Sequence, residues 1–162
     1  MGGLEAVTAL AGAIIGYALR IAEGWLQERR AAGRDREARR REFQRDTLIE
    51  LQDVMADVVR AVGAAHHEDS TAFKKTGKWG ETLLSKEVDD LDFQSRRRMG
   101  ILRERVLDDE LRQAVDELSA AAVATTVPIP RSEDDAVDKL LALAEVQERA
   151  NRRLGVILRA LY

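Results

Sequence analysis

The chain begins with a stretch whose side chains are apolar in every direction. From Ala6 to Leu19 (AVTALAGAIIGYAL) no residue is charged, and the only polar groups are Thr8 and the hydroxyl of Tyr17. A helix on a soluble surface shows one apolar stripe, so a helix that is apolar all round must be buried, either in protein or in lipid. A membrane span normally needs about 20 residues. The segment reaches that length when it is read from Leu4 to Leu26, where only Glu5, Arg20 and Glu23 interrupt it and all three lie near the ends. Arg20 can extend its guanidinium to lipid headgroups and can pair with Glu23 one turn on. Trp25 falls where an interfacial aromatic is expected. The pattern predicts a single membrane span within residues 1–26, with a buried core helix over residues 6–19 as the alternative.

Residues 27–45 read differently. They hold few apolar side chains, alternate in charge and consist largely of Gln, Glu, Arg and Ala, all strong helix formers, with Gly33 as the weak point. Arginines 29, 30, 34, 36, 39, 40, 41 and 45 fall here, whereas no basic side chain precedes Arg20. Positive charge stays on the cytoplasmic side, so a span would place the N-terminus outside the cell membrane and residues 27–162 in the cytoplasm. Arg20, Arg29, Arg30 and Arg34 would flank the bilayer, each attracting anionic lipid by about 1 kcal/mol when near the surface. Gly12 and Gly16, with Ala9 and Ala13 on neighbouring turns, form a small-xxx-small pair that suits lateral self-association in lipid. The acidic start MGGLE argues against a cleaved signal peptide, and Ala6 occupies the position where myristoylation wants Ser or Thr. Nucleic acid is not an expected partner, because Glu28, Asp35, Glu37 and Glu42 are interspersed and Phe43 is the only stacking aromatic nearby.

From residue 46 the pattern becomes amphipathic. Leu48, Leu51, Met55, Val58 and Val62 recur at alternating spacings of three and four, a coiled-coil-type seam that Ile49, Val54 and Val59 widen. Gly63 is expected to end this helix, leaving HHEDSTAFKKTGKWG as a long polar connection with Trp79 as a lid over the end of the domain. A second helix is predicted from near Leu83 to Val106, with Val88, Leu91, Ser95, Met99, Leu102 and Val106 on its inner face. Asp108 can cap a third carrying Leu111, Val115, Leu118 and Ala122. The VPIP segment at 127–130 ends that helix, and Ser132 with Asp135 forms a capping pair for a fourth. Its apolar positions are Val137, Leu140, Leu141, Leu143, Ala144 and Val146, joined by Gln147, then Leu154, Ile157 and Leu161. The expected fold class is all-α: a long N-terminal helix followed by a small up-down helical bundle over residues 46–162.

Composition supports that class and adds an electrostatic division. Two prolines and 4 % aromatic residues are too few for a sandwich or barrel. Residues 1–45 hold nine arginines against six acids, a net charge of +3; residues 46–162 hold 17 basic and 23 acidic residues, a net charge of −6. Cysteine is absent, which excludes disulfides, thiolate nucleophiles and cysteine-ligated zinc. His66 and His67, followed by Glu68 and Asp69, form the one cluster with metal-ligand chemistry. No acid precedes either histidine by three residues, so neither HExxH nor the Glu-x-x-His pair of di-iron proteins is present. Glycine-rich phosphate loops and a GxSxG elbow are also missing. No cofactor is implied and an enzyme is not expected, a metal-dependent site at His66 and His67 being the least favoured reading.

The layout resembles small actinobacterial proteins of unassigned biochemistry, in which an apolar N-terminal helix and an Arg-rich stretch precede a helical domain. Phe43-Gln44, Thr47-Leu48, Leu51-Gln52-Asp53, His66 to Asp69, Lys78-Trp79-Gly80 and Asn151 to Gly155 carry that resemblance. It implies membrane association and supplies no site residues. The expectation is a membrane-anchored interaction or scaffold module that binds an unknown protein partner or itself. A soluble homo-oligomeric bundle that buries residues 6–19 is the alternative.

Overall fold

The computed structural model describes the backbone of residues 3–80, 83–127 and 132–161, with side chains from residue 32 onward within those ranges. Four helices account for most of it: α1 (Gly3–Thr76), α2 (Lys86–Arg105), α3 (Asp109–Thr126) and α4 (Glu133–Ala160). No strand occurs among the described residues. The protein is therefore all-α, as the periodicity predicts. Two compact units divide the chain, Met1–Glu42 and Phe43–Tyr162.

In the first unit the backbone is helical from Gly3, and every side chain from 32 to 42 is exposed. Glu37 accepts a hydrogen bond from Arg41 Nε at 3.4 Å, an i, i+4 pair of the favourable order. Exposed pairs of this kind contribute only a few tenths of a kcal/mol, about 0.3–0.5 each. Helix propensity, with no packing from the described side chains, sustains this stretch.

In the second unit all four helices contribute to one apolar core. Leu48, Leu51, Met55, Val58 and Val62 are buried on α1, as the three-four seam requires. Met99 and Leu102 come from α2, Leu111, Val115, Leu118 and Ala122 from α3, and Leu143, Ala150 and Leu154 from α4. Val54 also faces the core, whereas Ile49 is exposed.

The described helix ends carry their own chemistry. The Ser85 hydroxyl accepts from the Val88 N–H, the Asp108 carboxylate from the Leu111 N–H at 2.8 Å, and the Ser132 hydroxyl from the Asp135 N–H. Each cap satisfies a donor that the first helical turn leaves without a partner. The start of α2 at Lys86 puts the acidic run Glu87 to Asp92 near an N-terminus, where the helix dipole favours it. At the other end of α2, Gln44 Nε2 donates to the Arg105 carbonyl at 2.8 Å, and Arg112 Nη1 donates to the Val106 carbonyl at 2.9 Å. A side chain from α1 and one from the start of α3 thus complete the end of α2.

Two expectations need correction. The helix does not stop at Gly63, and the segment expected as a loop is helical as far as Thr76. A glycine inside a helix costs about 1 kcal/mol relative to alanine, which burial on both sides outweighs. Ala61, Val62, Ala65 and Asp69 keep the same buried face through and beyond the glycine. The stop comes at Gly77, whose N–H bonds the Phe73 carbonyl at 2.7 Å before the chain turns at φ 72°. That left-handed conformation favours glycine because it has no Cβ.

The second correction concerns α4. Val137 and Leu141 are 42 % and 61 % exposed, and Ala144 is exposed as well. The predicted positions Leu143 and Leu154 are buried and Leu140, Val146 and Ile157 pack partly against the core, joined by Ala136 and Ala150, which the pattern does not mark. The aliphatic residues at the start of α4 lie on two sides of the helix, and packing against the other helices selects one.

Candidate functional site

The last three turns of α1 hold the cluster that the sequence marks for metal or acid–base chemistry. Successive residues on a helix point about 100° apart, so His66, His67, Glu68 and Asp69 cannot all face one point. His66 lies against Trp79, with ring centroids 5.3 Å apart and planes tilted by 50°. His67 is exposed, and Asp69 is buried on the core face one turn beyond Ala65. Glu68 turns toward the start of α2 and accepts a hydrogen bond from the Ser85 N–H at 2.8 Å. Hydrogen bonds from the Ser85 side chain and backbone hold the Glu68 carboxyl below the usual carboxylate range, and burial opposes them weakly. Among the described residues no three His, Cys, Asp or Glu side chains converge as a metal site would require.

The cluster has a structural consequence instead. Trp79 is 7 % exposed and closes over the end of α1, with Phe73 meeting its ring edge-on at a centroid distance of 5.6 Å. A buried Trp79 at this end fits a lid over the end of the domain, and the segment that leads to it is helical to Thr76 rather than the expected loop. The Trp79 indole nitrogen is buried without a hydrogen-bond partner among the described residues. Glycines 77 and 80, with φ of 72° and 71°, bracket the turn that folds the indole back. Beside it lies an open groove of about 610 Å³, lined on α1 by His67, Glu68, Thr71 and Lys75 and on the far side by Leu83 and Ser85. His67 and Lys75 are its basic groups, while Glu68 is engaged by Ser85, and no hydrogen bond among the described residues joins either base to an acid in the groove.

A smaller, more apolar groove of about 290 Å³ lies at the other end of the second unit. Gln44 and Leu48 form one wall, the Val106–Asp108 turn another, and Ile157 with Leu161 the third. Beside it, Asp108 accepts from Arg153 Nε at 2.9 Å and Nη2 at 2.5 Å while capping α3. The guanidinium holds the Asp108 carboxyl below its ordinary range, partly opposed by burial and assisted by the Leu111 N–H. Sequence patterning identified the cap but not the arginine, which comes from 45 positions away.

The proposed membrane-flanking and packing residues divide between described and undescribed positions. Arg34 is exposed in the first unit. The side chains of Arg20, Arg29, Arg30 and the apolar run 6–19, and the surroundings of Gly12 and Gly16, are not described, although the backbone there is. Within the described residues no helix is long and apolar enough to cross a membrane. Comparison with protein-family models, with curated proteins and with solved structures found no match.

Proposed function

We propose that this protein is a membrane-anchored helical interaction or scaffold module. Residues 1–26 carry one span with the N-terminus outside, residues 27–45 form a basic juxtamembrane helix, and residues 46–162 form an up-down helical bundle in the cytoplasm. The observation that carries this reading is the uncharged run from Ala6 to Leu19, followed before residue 46 by eight arginines between positions 29 and 45. A helix of 23 residues is about 34 Å long, enough for a hydrocarbon core of about 30 Å. Two features support the rest. The side chains from 32 to 42 are all exposed, as a solvated connector demands, and the second unit assembles a core from its own residues. The larger groove holds the His67 imidazole and the Thr71 and Ser85 hydroxyls, but no hydrogen bond among the described residues links base to hydroxyl, which favours binding over catalysis.

Cell fractionation tests the anchor. The full-length protein is expected in the membrane pellet, resistant to a carbonate wash and released by detergent. Recovery in the supernatant without detergent would refute the anchor and favour a soluble assembly.

A further inference from the structure

We propose that the outward face of α4 is a docking surface for the arginine-rich helix of a second copy of this chain. Val137 and Leu141 are the exposed apolar positions, at 42 % and 61 %. Asp134 and Asp138 flank them at helical spacing, with Glu145 one further turn on, and all three acids are exposed. None of these acids forms an ion pair among the described residues, whereas neighbouring Asp135 is held by Lys139 at 3.0 Å. The face is thus a short aliphatic strip with an acidic border.

Charge complementarity identifies what covers it. Arg36, Arg39 and Arg40 stand at positions i, i+3 and i+4 of α1 and so share one side of that helix. All three are exposed and form no ion pair among the described residues. Asp134, Val137, Asp138 and Leu141 begin with the same i, i+3, i+4 spacing on α4. Two helices with matched spacing and opposite charge can cross with guanidinium groups on carboxylates. The arginine methylene stems then cover Val137 and Leu141. Every copy carries both halves, because residues 1–45 are net positive and residues 46–162 net negative. On α4 the acidic face is also remote from Ile157, which shares a groove with Gln44. Twenty residues of helix separate Val137 from Ile157, a rise of about 30 Å.

Sedimentation velocity on the full-length chain, in detergent where solubility requires it, tests the contact. The wild type is expected to self-associate, and raising the salt from 0.1 M to 1 M should weaken association about tenfold or more, since it shortens the screening length from about 10 Å to 3 Å. The triple variant Arg36→Glu, Arg39→Glu, Arg40→Glu and the double variant Asp134→Arg, Asp138→Arg should each weaken it to a similar degree. Combining all five substitutions in one chain should restore it. The altered side chains are exposed, and unchanged far-ultraviolet circular dichroism would confirm that the helices persist. A wild type that is monomeric, or that associates independently of salt, overturns the proposal. So does a combined variant that fails to recover. Loss on reversing the arginines alone, with the α4 reversal silent, also overturns it and assigns the arginines to another anion, lipid headgroups or nucleic acid.

Discussion

The Asp108 carboxylate ties together two elements distant in sequence. It caps α3 through the Leu111 N–H and takes two hydrogen bonds from Arg153. Replacing it with alanine should cost about 1 kcal/mol from the lost cap alone, read by urea denaturation. The pH dependence has a definite sign. Arg153 lowers the Asp108 pKa in the folded state, so the unfolded chain binds the proton first as pH falls. The contribution is present above the ordinary aspartate value of about 3.9 and is lost below it. Asp108→Asn keeps a capping oxygen and removes the charge, so its stability should fall less steeply than that of wild type as pH drops below about 4. Equal slopes for the two proteins would refute the assignment. Leu51 is fully buried on the α1 seam. Leu51→Ala should cost about 2–5 kcal/mol by the same measurement, combining lost transfer energy with the cavity left behind.

At the scale of elements, the glycines of α1 separate two roles for one residue type. Gly63 is exposed and helical, with open space where a Cβ would go. Gly63→Ala should raise stability by about 0.5–1 kcal/mol, because alanine restricts the unfolded chain and fits the helix. Gly77→Ala should do the opposite, since φ of 72° is strained for any residue with a Cβ. Thermal unfolding of the two variants checks both signs, and destabilisation by Gly63→Ala would contradict a helix continuous through that position. The starts of α3 and α4 were legible because a cap, Asp108 or Ser132, stood next to a periodic run, whereas α2, expected from near Leu83, begins at Lys86 behind the Ser85 cap. The length of α1 was not legible, because glycine is a stop signal only where no apolar face continues past it. Ala65 and Asp69 continue that face, and a buried aspartate does not appear in a hydrophobic pattern.

On the scale of the whole molecule, the sequence divides into a positively charged N-terminal part, residues 1–45, and a negatively charged remainder that builds its own core. Removing residues 1–26 is the direct test of the anchor. If they are an anchor, the shortened protein should be soluble and should unfold with a midpoint within a few degrees of the full-length chain. If they are a core helix, it should aggregate or lose its cooperative transition. Thermal melts of the two proteins, the longer one in detergent, distinguish these outcomes.

Much of the fold was written in local chemistry. The all-α class, the N-caps of α3 and α4, the α1 seam and the inner face of α3 follow from short-range spacing and hydrogen-bonding capacity, which any segment carries with it. Partner choice was not local. The aliphatic residues at the start of α4 lie on two sides of the helix until the surrounding helices bury Leu143 and Leu154 and leave Val137 and Leu141 outside. The pairing of Arg153 with Asp108, the closure of α2 by Gln44 and the folding of Trp79 onto His66 likewise arise only when distant segments meet. The histidine cluster illustrates the same limit: four adjacent ligand-type residues suggest a site, but a continuous helix turns them in different directions, and packing decides what each one touches.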